Sequence, residues 1–357
     1  MWVRVSRGFP CPVCGRPDWC SLSEDGEVVK CMRVPSDFSK VDASGATYYI
    51  HRQGDSPVLI PGEFRRSDRG DERRATVEVR AKVYEALFRR LRLRQDHRDD
   101  LRRRGLSEAE IGRRGYKSWP SFQERRRLCE DMAGTLGVDL TTIPGFFVNR
   151  FDSLSLGGGP SCYGIPCRDK EGRIIAVQLR NDDSGPEAGP KYIFLSSMRH
   201  GGPSPGYLTH IPLHDGDVAE CRVTEGLLKA DVATSLLGTP VLAMTNCSSF
   251  QGLRTLLPEL KVRRLILAMD ADHRTNRHVL LGMANTALQL RVVVGEVAIE
   301  VWDPALGKGL DDVAHAGGAR QLLEGRSAWQ WLRKLCLGFR GLIMPPDLNE
   351  LALSDGK

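Results

Sequence analysis

Between residues 223 and 301 the chain alternates short apolar runs with amphipathic stretches. The apolar runs cover residues 223–224, 241–244, 265–269 and 292–301, and the amphipathic stretches cover 227–237, 250–260 and 277–290. Strands that alternate with helices of about ten residues are typical of a parallel sheet covered on both faces. The pattern therefore predicts an α/β domain in this part of the chain.

Acidic residues stand where two of these predicted strands end. Glu225 follows the first run, and Asp270 and Asp272 follow the third. Ligands bind beyond the carboxyl ends of parallel strands, so these side chains are expected at one edge of the sheet. Carboxylates held close together either take up protons or bind a cation, and oxygen ligands suit Mg²⁺ or Mn²⁺. The alternative is that Asp270 and Asp272 are polar residues that only end a strand.

The order Glu225-Gly226, then Asp270 and Asp272, resembles the Toprim domain of bacterial-type primases, topoisomerases, some nucleases and recombination mediators. The resemblance implies a Rossmann-like parallel sheet with Glu225, Asp270 and Asp272 as catalytic, Mg²⁺-binding residues. It also implies a further catalytic aspartate in the sequence KGLDD (308–312). The choice between Asp311 and Asp312 stays open, and Lys229 and Lys308 are the candidate nucleotide or DNA contacts beside these acids.

The segments GIPCRDKEGRIIAVQLR (164–180) and PKYIFLSS (190–197) resemble the mixed αβ subdomain that precedes Toprim in bacterial-type primases. The resemblance implies that Arg180 and Lys191 lie near nucleotide phosphates and template. Metal-bound triphosphates need fixed positive charge in any case. Phe194 and Leu195 depart from the family pattern, so the substrate contact of that segment is expected to differ. The stretch HRDDLRRRGLSEAEI (97–111) is similar to phage and mobile-element primase-like proteins.

Four cysteines lie close together near the start of the chain: Cys11, Cys14, Cys20 and Cys31. Four thiolates leave no position for water, which favours a structural over a catalytic Zn²⁺. Residues 23–29, with Asp25-Gly26 as a turn, are predicted to form a hairpin, so that the segment is a zinc ribbon. The alternative is that Cys20 belongs to an apolar patch and that His51 replaces it.

Charge and composition narrow the class of protein. The 357 residues carry a net charge of +6, and residues 65–127 hold nineteen Arg and two Lys against eleven acidic residues. That excess indicates either a polyanion partner or a solvated helix surface. The sequence contains neither an apolar run of membrane-spanning length nor a secretory signal, and six of its ten cysteines are scattered singly. A cytoplasmic protein without membrane contact is expected.

The predicted organisation has six parts: a zinc ribbon (1–53), a flexible linker (54–75), an Arg-rich helical unit (76–150), a mixed αβ subdomain (151–215), a Toprim domain (216–318), and a C-terminal helix and tail (319–357). In the helical unit, Ser107 and Glu110 predict a capping box. Phe122, Leu128, Met132 and Leu136 are expected in its core. The alternative, stacking on bases, would require an exposed aromatic ring.

The predicted function is a DNA primase, a nucleotidyltransferase that copies a single-stranded DNA template into short primers with Mg²⁺ or Mn²⁺ and NTPs. A separate helicase or replisome protein is the expected partner. Three alternatives are kept: another Toprim enzyme such as a nuclease, a non-catalytic recombination mediator, and an inactive replication-accessory relative. A recombination mediator would lack the subdomain around Arg180 and Lys191, so these residues favour the primase over the mediator.

Overall fold

A computed structural model describes residues 2–6, 8–23, 28–36, 38–41, 47–52, 73–159, 161–183, 190–206, 208–245, 250–339 and 344–353. The chain divides into two compact units. One holds Met1–Asp68 and Phe339–Leu342, and the other holds Arg69–Gly338 and Ile343–Lys357. The predicted helical unit, mixed subdomain and parallel-sheet domain all lie in the second unit. Residues 54–72 of the predicted linker lie outside the described residues.

The first unit is built on one antiparallel sheet. Its strands, in spatial order, are β1 (Trp2–Arg4), β2 (Ser21–Ser23), β3 (Val28–Cys31), β5 (Thr47–Arg52) and β4 (Ser39–Val41). The predicted hairpin pairing is confirmed, because Leu22 lies opposite Val29 and both side chains are fully buried. The predicted turn at Asp25-Gly26 lies outside the described residues. The small core, which also contains Val3, includes three of the four clustered cysteines.

The second unit begins with four helices: α1 (Val77–Arg90), α2 (Gln95–Arg103), α3 (Glu108–Arg114) and α4 (Phe122–Leu136). Ser107 caps α3 by accepting the Glu110 N–H at 3.2 Å. The other half of the predicted capping box is not among the contacts of the described residues. The Glu110 carboxylate lies 2.8 Å from Arg114 Nη2 instead. An ion pair on the next turn of the helix has taken the place of the reciprocal cap.

One core prediction in this region is wrong. Phe122 is 68% exposed, whereas Met132 is buried and Leu128 packs partly buried against the same core. Phe122 occupies the first position of α4, directly after its cap Ser121. Helical spacing alone predicted that Phe122 is buried. The face of the helix that packs begins one turn later, so Phe122 is left exposed.

The helices pack on a four-stranded antiparallel sheet. In spatial order its strands are β11 (Tyr192–Phe194), β10 (Ile174–Asn181), β9 (Cys162–Arg168) and β6 (Lys117–Ser118). A separate hairpin joins β7 (Phe146–Val148) to β8 (Leu154–Leu156). Strand β9 is buried along nearly its whole length because its residues belong to two cores. Cys162 lies in the core that includes α1, whereas Tyr163, Ile165 and Cys167 lie in the core shared with the parallel-sheet domain. The predicted strand pair around Lys170 to Gly172 is observed as β9 and β10.

The predicted parallel sheet is present. Its parallel strands are β14 (Val241–Met244), β13 (Glu220–Glu225), β15 (Arg264–Leu267) and β16 (Glu296–Trp302), flanked by antiparallel β12 (Thr209–His210) and β17 (Arg320–Leu323). Helices α5 (Leu227–Leu237), α6 (Gln251–Glu259), α7 (Arg277–Arg291) and α8 (Leu310–His315) connect or follow these strands. Val223 pairs with Leu242 on one side and Leu267 on the other. Glu225 and Asp270 are therefore delivered to the same edge.

The C-terminal part differs from the single helix predicted from residue 319. Residues 320–323 form β17, and helices α9 (Gly325–Gly338) and α10 (Pro346–Leu353) follow. The strand forms because Leu323 lies opposite Ile299 of β16 and Arg320 lies 3.4 Å from the buried carboxylate of Glu300. Among the described residues, no helix combines the length and the apolar character that crossing a membrane requires.

Candidate functional site

The four clustered cysteines converge in the first unit. The sulfur atoms of Cys11, Cys14, Cys20 and Cys31 all lie within 4.8 Å of one another. Two of the separations are 3.7 Å (Cys14–Cys20) and 4.0 Å (Cys20–Cys31). Tetrahedral zinc with Zn–S bonds of about 2.3 Å sets its sulfur atoms about 3.8 Å apart. The cluster therefore fits a closed, structural zinc site.

Local backbone donors complete this thiol cluster. The N–H groups of Met32 and Val34 donate to the sulfurs of Cys20 and Cys31, at 3.4 Å and 3.3 Å. Burial opposes ionisation of Cys14, yet the Arg16 N–H and the neighbouring thiols lower its pKa to about 7. Because a thiolate is the form that binds metal, this shift favours a bound cation. His51 Nε2 instead bonds to the Val34 carbonyl at 3.0 Å, so the alternative that His51 replaces Cys20 is not observed.

The acidic rim of the second unit comprises Glu225, Asp270, Asp272 and Asp311, with their lysine partners Lys229 and Lys308. Glu225 ends β13, and Asp270 and Asp272 follow β15 after Ala268, whose N–H still bonds to the Val223 carbonyl at 2.9 Å. Gly226 turns the chain from β13 into α5 with a φ of +88° and donates its N–H to Met244. A side chain is strained at that φ, which is why glycine follows Glu225.

Lysines pair with two of these carboxylates. Lys229 Nζ, from the first turn of α5, contacts both oxygens of the buried Asp270. Lys308 Nζ lies 2.9 Å from Asp272 and 3.4 Å from Asp270. The hydrogen bond to Asp272 raises the pKa of Lys308. Two lysine side chains thus offset part of the negative charge of the rim.

The acidic rim is more open than the cysteine cluster. Within the described residues, the four cysteines are the only group of three or more candidate ligands whose atoms all lie within 4.8 Å of one another. The predicted Mg²⁺ set of Glu225, Asp270 and Asp272 therefore does not converge to that distance. Asp272 Oδ1 and Asp311 Oδ1 are nevertheless buried without a hydrogen-bond partner among the described residues. Buried carboxylate oxygens of this kind suit a hard divalent cation such as Mg²⁺.

The two adjacent aspartates at the start of α8 have different surroundings. Asp312 is exposed, and its Oδ2 accepts the Gly309 N–H at 3.1 Å, which caps the helix. Asp311 is buried, and burial together with the nearby Asp312 charge raises its pKa. A Cβ added at Gly309 would collide with Asp311 Oδ1 and come within 3.2 Å of Lys229 Nζ. Asp311 thus faces the acidic rim, whereas Asp312 serves the helix.

A group of cationic side chains is organised around Asp100. Arg180 and Arg104 lie 3.4 Å and 3.2 Å from its carboxylate, and the Tyr163 hydroxyl donates to it at 3.1 Å. Burial lowers the pKa of Lys191, and the charges of Arg104 and Arg180 lower it further. The positive charge of Arg104 also acts on Asp311. Arg104 therefore lies within electrostatic reach of the acidic rim.

Sequence reasoning missed Asp100 and Arg104. The available signal was the i,i+4 spacing of the two residues in α2, inside a run of three arginines. Much of the arginine excess of this region is neutralised locally. Paired examples are Arg90 with Asp131, Arg98 with Glu108, Arg113 with Asp215 and Arg126 with Glu130. Fewer arginines than the count suggests are therefore available to bind a polyanion.

A buried ion network anchors α5, the helix that carries Lys229. Asp231 lies 2.7 Å from Arg114 Nη1, accepts the Tyr116 hydroxyl at 2.7 Å and lies 3.3 Å from His210 Nε2. Burial would raise the pKa of Asp231, but the neighbouring His210 and Arg114 outweigh it and lower the pKa. The network joins α3 and Tyr116, which directly precedes β6, to β12 and α5, so it holds the helical unit against the parallel-sheet domain.

No protein-family model matches the sequence, and no curated protein matches it. Solved structures do. The zinc-binding and RNA polymerase domains of the Aquifex aeolicus primase align over 96% of this chain and 87% of that chain, with a TM-score of 0.55 and 14% identity. The fold of this chain therefore resembles the fold of primases.

Two further structures support this primase-like fold. The RNA polymerase domain of Mycobacterium tuberculosis primase DnaG aligns over 77% of this chain and 96% of that chain, with a TM-score of 0.54 and 14% identity. The same domain in complex with a double-stranded DNA oligomer with a 6-nucleotide overhang aligns over 78% and 98%, with a TM-score of 0.51 and 16% identity. At such identities the likeness concerns the fold.

Proposed function

We propose that this chain is a primase-type nucleotidyltransferase that makes short primers on single-stranded DNA, and that its parallel-sheet domain is a Toprim domain. The observation that carries the proposal is the acidic rim, where carboxylates follow separate parallel strands at one edge of the sheet and Arg104 lies within electrostatic reach of Asp311. The likeness to primase folds supports it. A cation-binding acidic edge facing fixed positive charge is the arrangement that phosphoryl transfer requires.

Asp270, Asp272 and Asp311 would hold Mg²⁺ or Mn²⁺, with Glu225 beside them as a further ligand or proton acceptor. The bound ions would supply positive charge to the phosphates and the departing pyrophosphate. Arg180, Lys191 and Arg104 would attract and orient the triphosphate, because Asp100 holds two of them in place. Lys229 and Lys308 are proposed to exchange their carboxylate partners for phosphate oxygens when substrate binds.

The zinc ribbon and the Arg-rich helices would track the single strand with salt-sensitive affinity. A separate helicase or replisome protein would open the duplex, and the sequence of the helical unit favours a phage or mobile-element origin.

The test is primer synthesis by the full chain on single-stranded DNA with labelled NTPs and Mg²⁺ or Mn²⁺. Asp270→Ala with Asp272→Ala is expected to reduce template-dependent oligomers about 1000-fold, because metal ions supply several kcal/mol of transition-state stabilisation. Asp347→Ala, at an exposed position of α10, is the matched control and is expected to retain synthesis. Degradation of the template would replace the proposal with a nuclease, and binding with neither product would replace it with a mediator.

A further inference from the structure

Two exposed phenylalanines flank a cavity on the second unit. Phe122 begins α4 and is 68% exposed, and Phe151, in the loop between β7 and β8, is 72% exposed. Both line a cavity of about 280 Å³. That volume equals about nine water molecules at their share of the liquid, which is enough for a planar ring system. Two large aromatic faces left in water beside one cavity need an explanation beyond packing.

Both phenylalanines are held by ordered backbone. The Phe151 N–H donates to Asn149 Oδ1 at 2.8 Å, and Asn149 Nδ2 donates to Ser155 Oγ at 2.9 Å. Phe122 follows a complete capping box in which the Ser121 N–H donates to the Glu124 carboxylate at 2.7 Å. Because the backbone is fixed before any ligand arrives, little ordering entropy is lost on binding.

Positive charge accompanies the two rings. The Arg150 guanidinium lies 4.7 Å from the centre of the Phe151 ring, and the Arg125 guanidinium lies 5.7 Å from that of Phe122. Arg125 is itself buried and fixed by the carbonyls of Leu156, at 3.1 Å, and Gly158. Flat aromatic faces bordered by guanidinium groups match unpaired bases on a phosphate backbone. An apolar protein segment would gain nothing from these cations.

We propose that Phe122 and Phe151 form a stacking subsite for unpaired bases of a single-stranded nucleic acid. The cavity shares no lining residue with the acidic rim or with the cations around Asp100. Binding of bases in this cavity would therefore anchor the strand at a site separate from the acidic rim. The choice of single-stranded DNA as the natural ligand rests on the proposed function. The stacking itself rests on the rings, the cavity and the arginines.

The test measures binding of the full chain to oligothymidylate, oligouridylate and an abasic oligonucleotide of equal length. The double variant Phe122→Ala with Phe151→Ala is expected to bind oligothymidylate about tenfold more weakly and the abasic strand unchanged, because only the bases are lost as partners. Phe122→Tyr with Phe151→Tyr is expected to restore binding. Leu337→Ala, an exposed apolar position in α9, is the control for general loss of apolar surface. Loss on oligouridylate alone would assign the subsite to RNA.

Three results would overturn the stacking subsite: no binding of either oligothymidylate or oligouridylate by the wild type, unchanged binding of both by the double alanine variant, or an equal loss on the abasic strand. Primer synthesis is not the readout, so the two proposals fail separately. A chain that binds through these rings yet makes no primers keeps the subsite and loses the proposed function. A chain that makes primers with unchanged binding in the variant does the reverse. Melting temperatures of all variants exclude unfolding as the cause.

Discussion

The cysteine cluster and the acidic rim are both candidate cation sites, but they are built in opposite ways. The four sulfurs lie within 4.8 Å of one another before any ion is considered. In the acidic rim, Lys229 and Lys308 pair with Asp270 and Asp272. A structural metal site is closed by its own ligands, whereas a site that exchanges substrate needs cations that can move between partners. The two arrangements fit these two tasks.

The two sites also differ in how they depend on the rest of the chain. The cysteines lie within residues 11–31. The hairpin of β2 and β3 and the tight turn that follows Cys11 bring them together. The rim residues lie within residues 225–312, and the parallel pairing of β13 with β15 brings Glu225 and Asp270 to one edge of the sheet. Local structure therefore determines the first site, and long-range packing determines the second.

The largest expected effect breaks the cysteine cluster. Cys14→Ser, or removal of zinc by a chelator, is expected to unfold the sheet of β1 to β5, because metal binding in comparable small segments contributes about 10–16 kcal/mol. The second unit has its own cores and is expected to keep its thermal transition. Zinc content per chain and calorimetry of the full chain measure the two outcomes.

Cys336→Ser is the control, since Cys336 is a buried cysteine of α9 outside the cluster. It is expected to retain full zinc content. A Cys14→Ser chain that still carries one zinc and shows both transitions would contradict the assignment of a closed four-sulfur site.

The next largest effect removes an anchor of the acidic rim without touching its carboxylates. Asp231→Asn is expected to lower the free energy of unfolding by about 3 kcal/mol at pH 7, at the lower end of the cost of breaking a buried ion pair, because Arg114 loses its buried partner and keeps only Glu110. The pKa of Asp231 is lowered in the folded chain. Its stabilising contribution is therefore present above the unfolded value of about 3.9 and is lost as pH falls through the folded pKa. The difference from wild type should shrink in acid.

The matched control uses the preceding arginine. Arg113 lies 2.6 Å from Asp215, whose side chain is exposed, so Asp215→Asn is expected to change the free energy of unfolding by no more than about 1 kcal/mol. Chemical denaturation at pH 7 and in acid compares the two variants. Equal losses from Asp231→Asn and Asp215→Asn would mean that the buried network does not anchor the rim.

The same contrast between local and long-range determinants explains what the sequence could predict. The limits of α5 and β14 agree with the apolar pattern, and the hairpin of β2 and β3 was predicted because its signals are local. The edge location of Glu225, Asp270 and Asp272 followed from strand alternation, since parallel strands deliver their carboxyl ends to one side. Periodicity was sufficient for these elements.

Periodicity could not predict contacts between distant elements. Arg104 and Arg114 come from the same arginine-rich stretch, yet Arg104 pairs with Asp100 and Arg114 is buried against Asp231. Strand β17 forms only because β16 offers it an edge. Phe122 has the spacing of a core residue but precedes the packed face of its helix. Each case depends on a partner many residues away or on a helix boundary.

The smallest effects distinguish Asp311 from Asp312. The sequence alone could not predict which of the two belongs to the acidic rim. Asp311→Asn is expected to reduce primer synthesis about 100- to 1000-fold, because it removes a buried carboxylate that faces Lys229. Asp312→Asn is expected to leave synthesis close to wild type and to lower the free energy of unfolding by about 1 kcal/mol, because the cap of α8 is weakened.

Stability provides an independent check on the same pair. The pKa of Asp311 is raised in the folded chain, so its ionisation destabilises the fold as pH rises above the unfolded value of about 3.9 and through the folded pKa. Asp311→Asn should therefore gain stability relative to wild type from acid to neutral pH, and Asp312→Asn should not. If Asp312→Asn abolished synthesis and Asp311→Asn did not, the rim would be assembled from the exposed carboxylate. Long-range packing would then not determine the site.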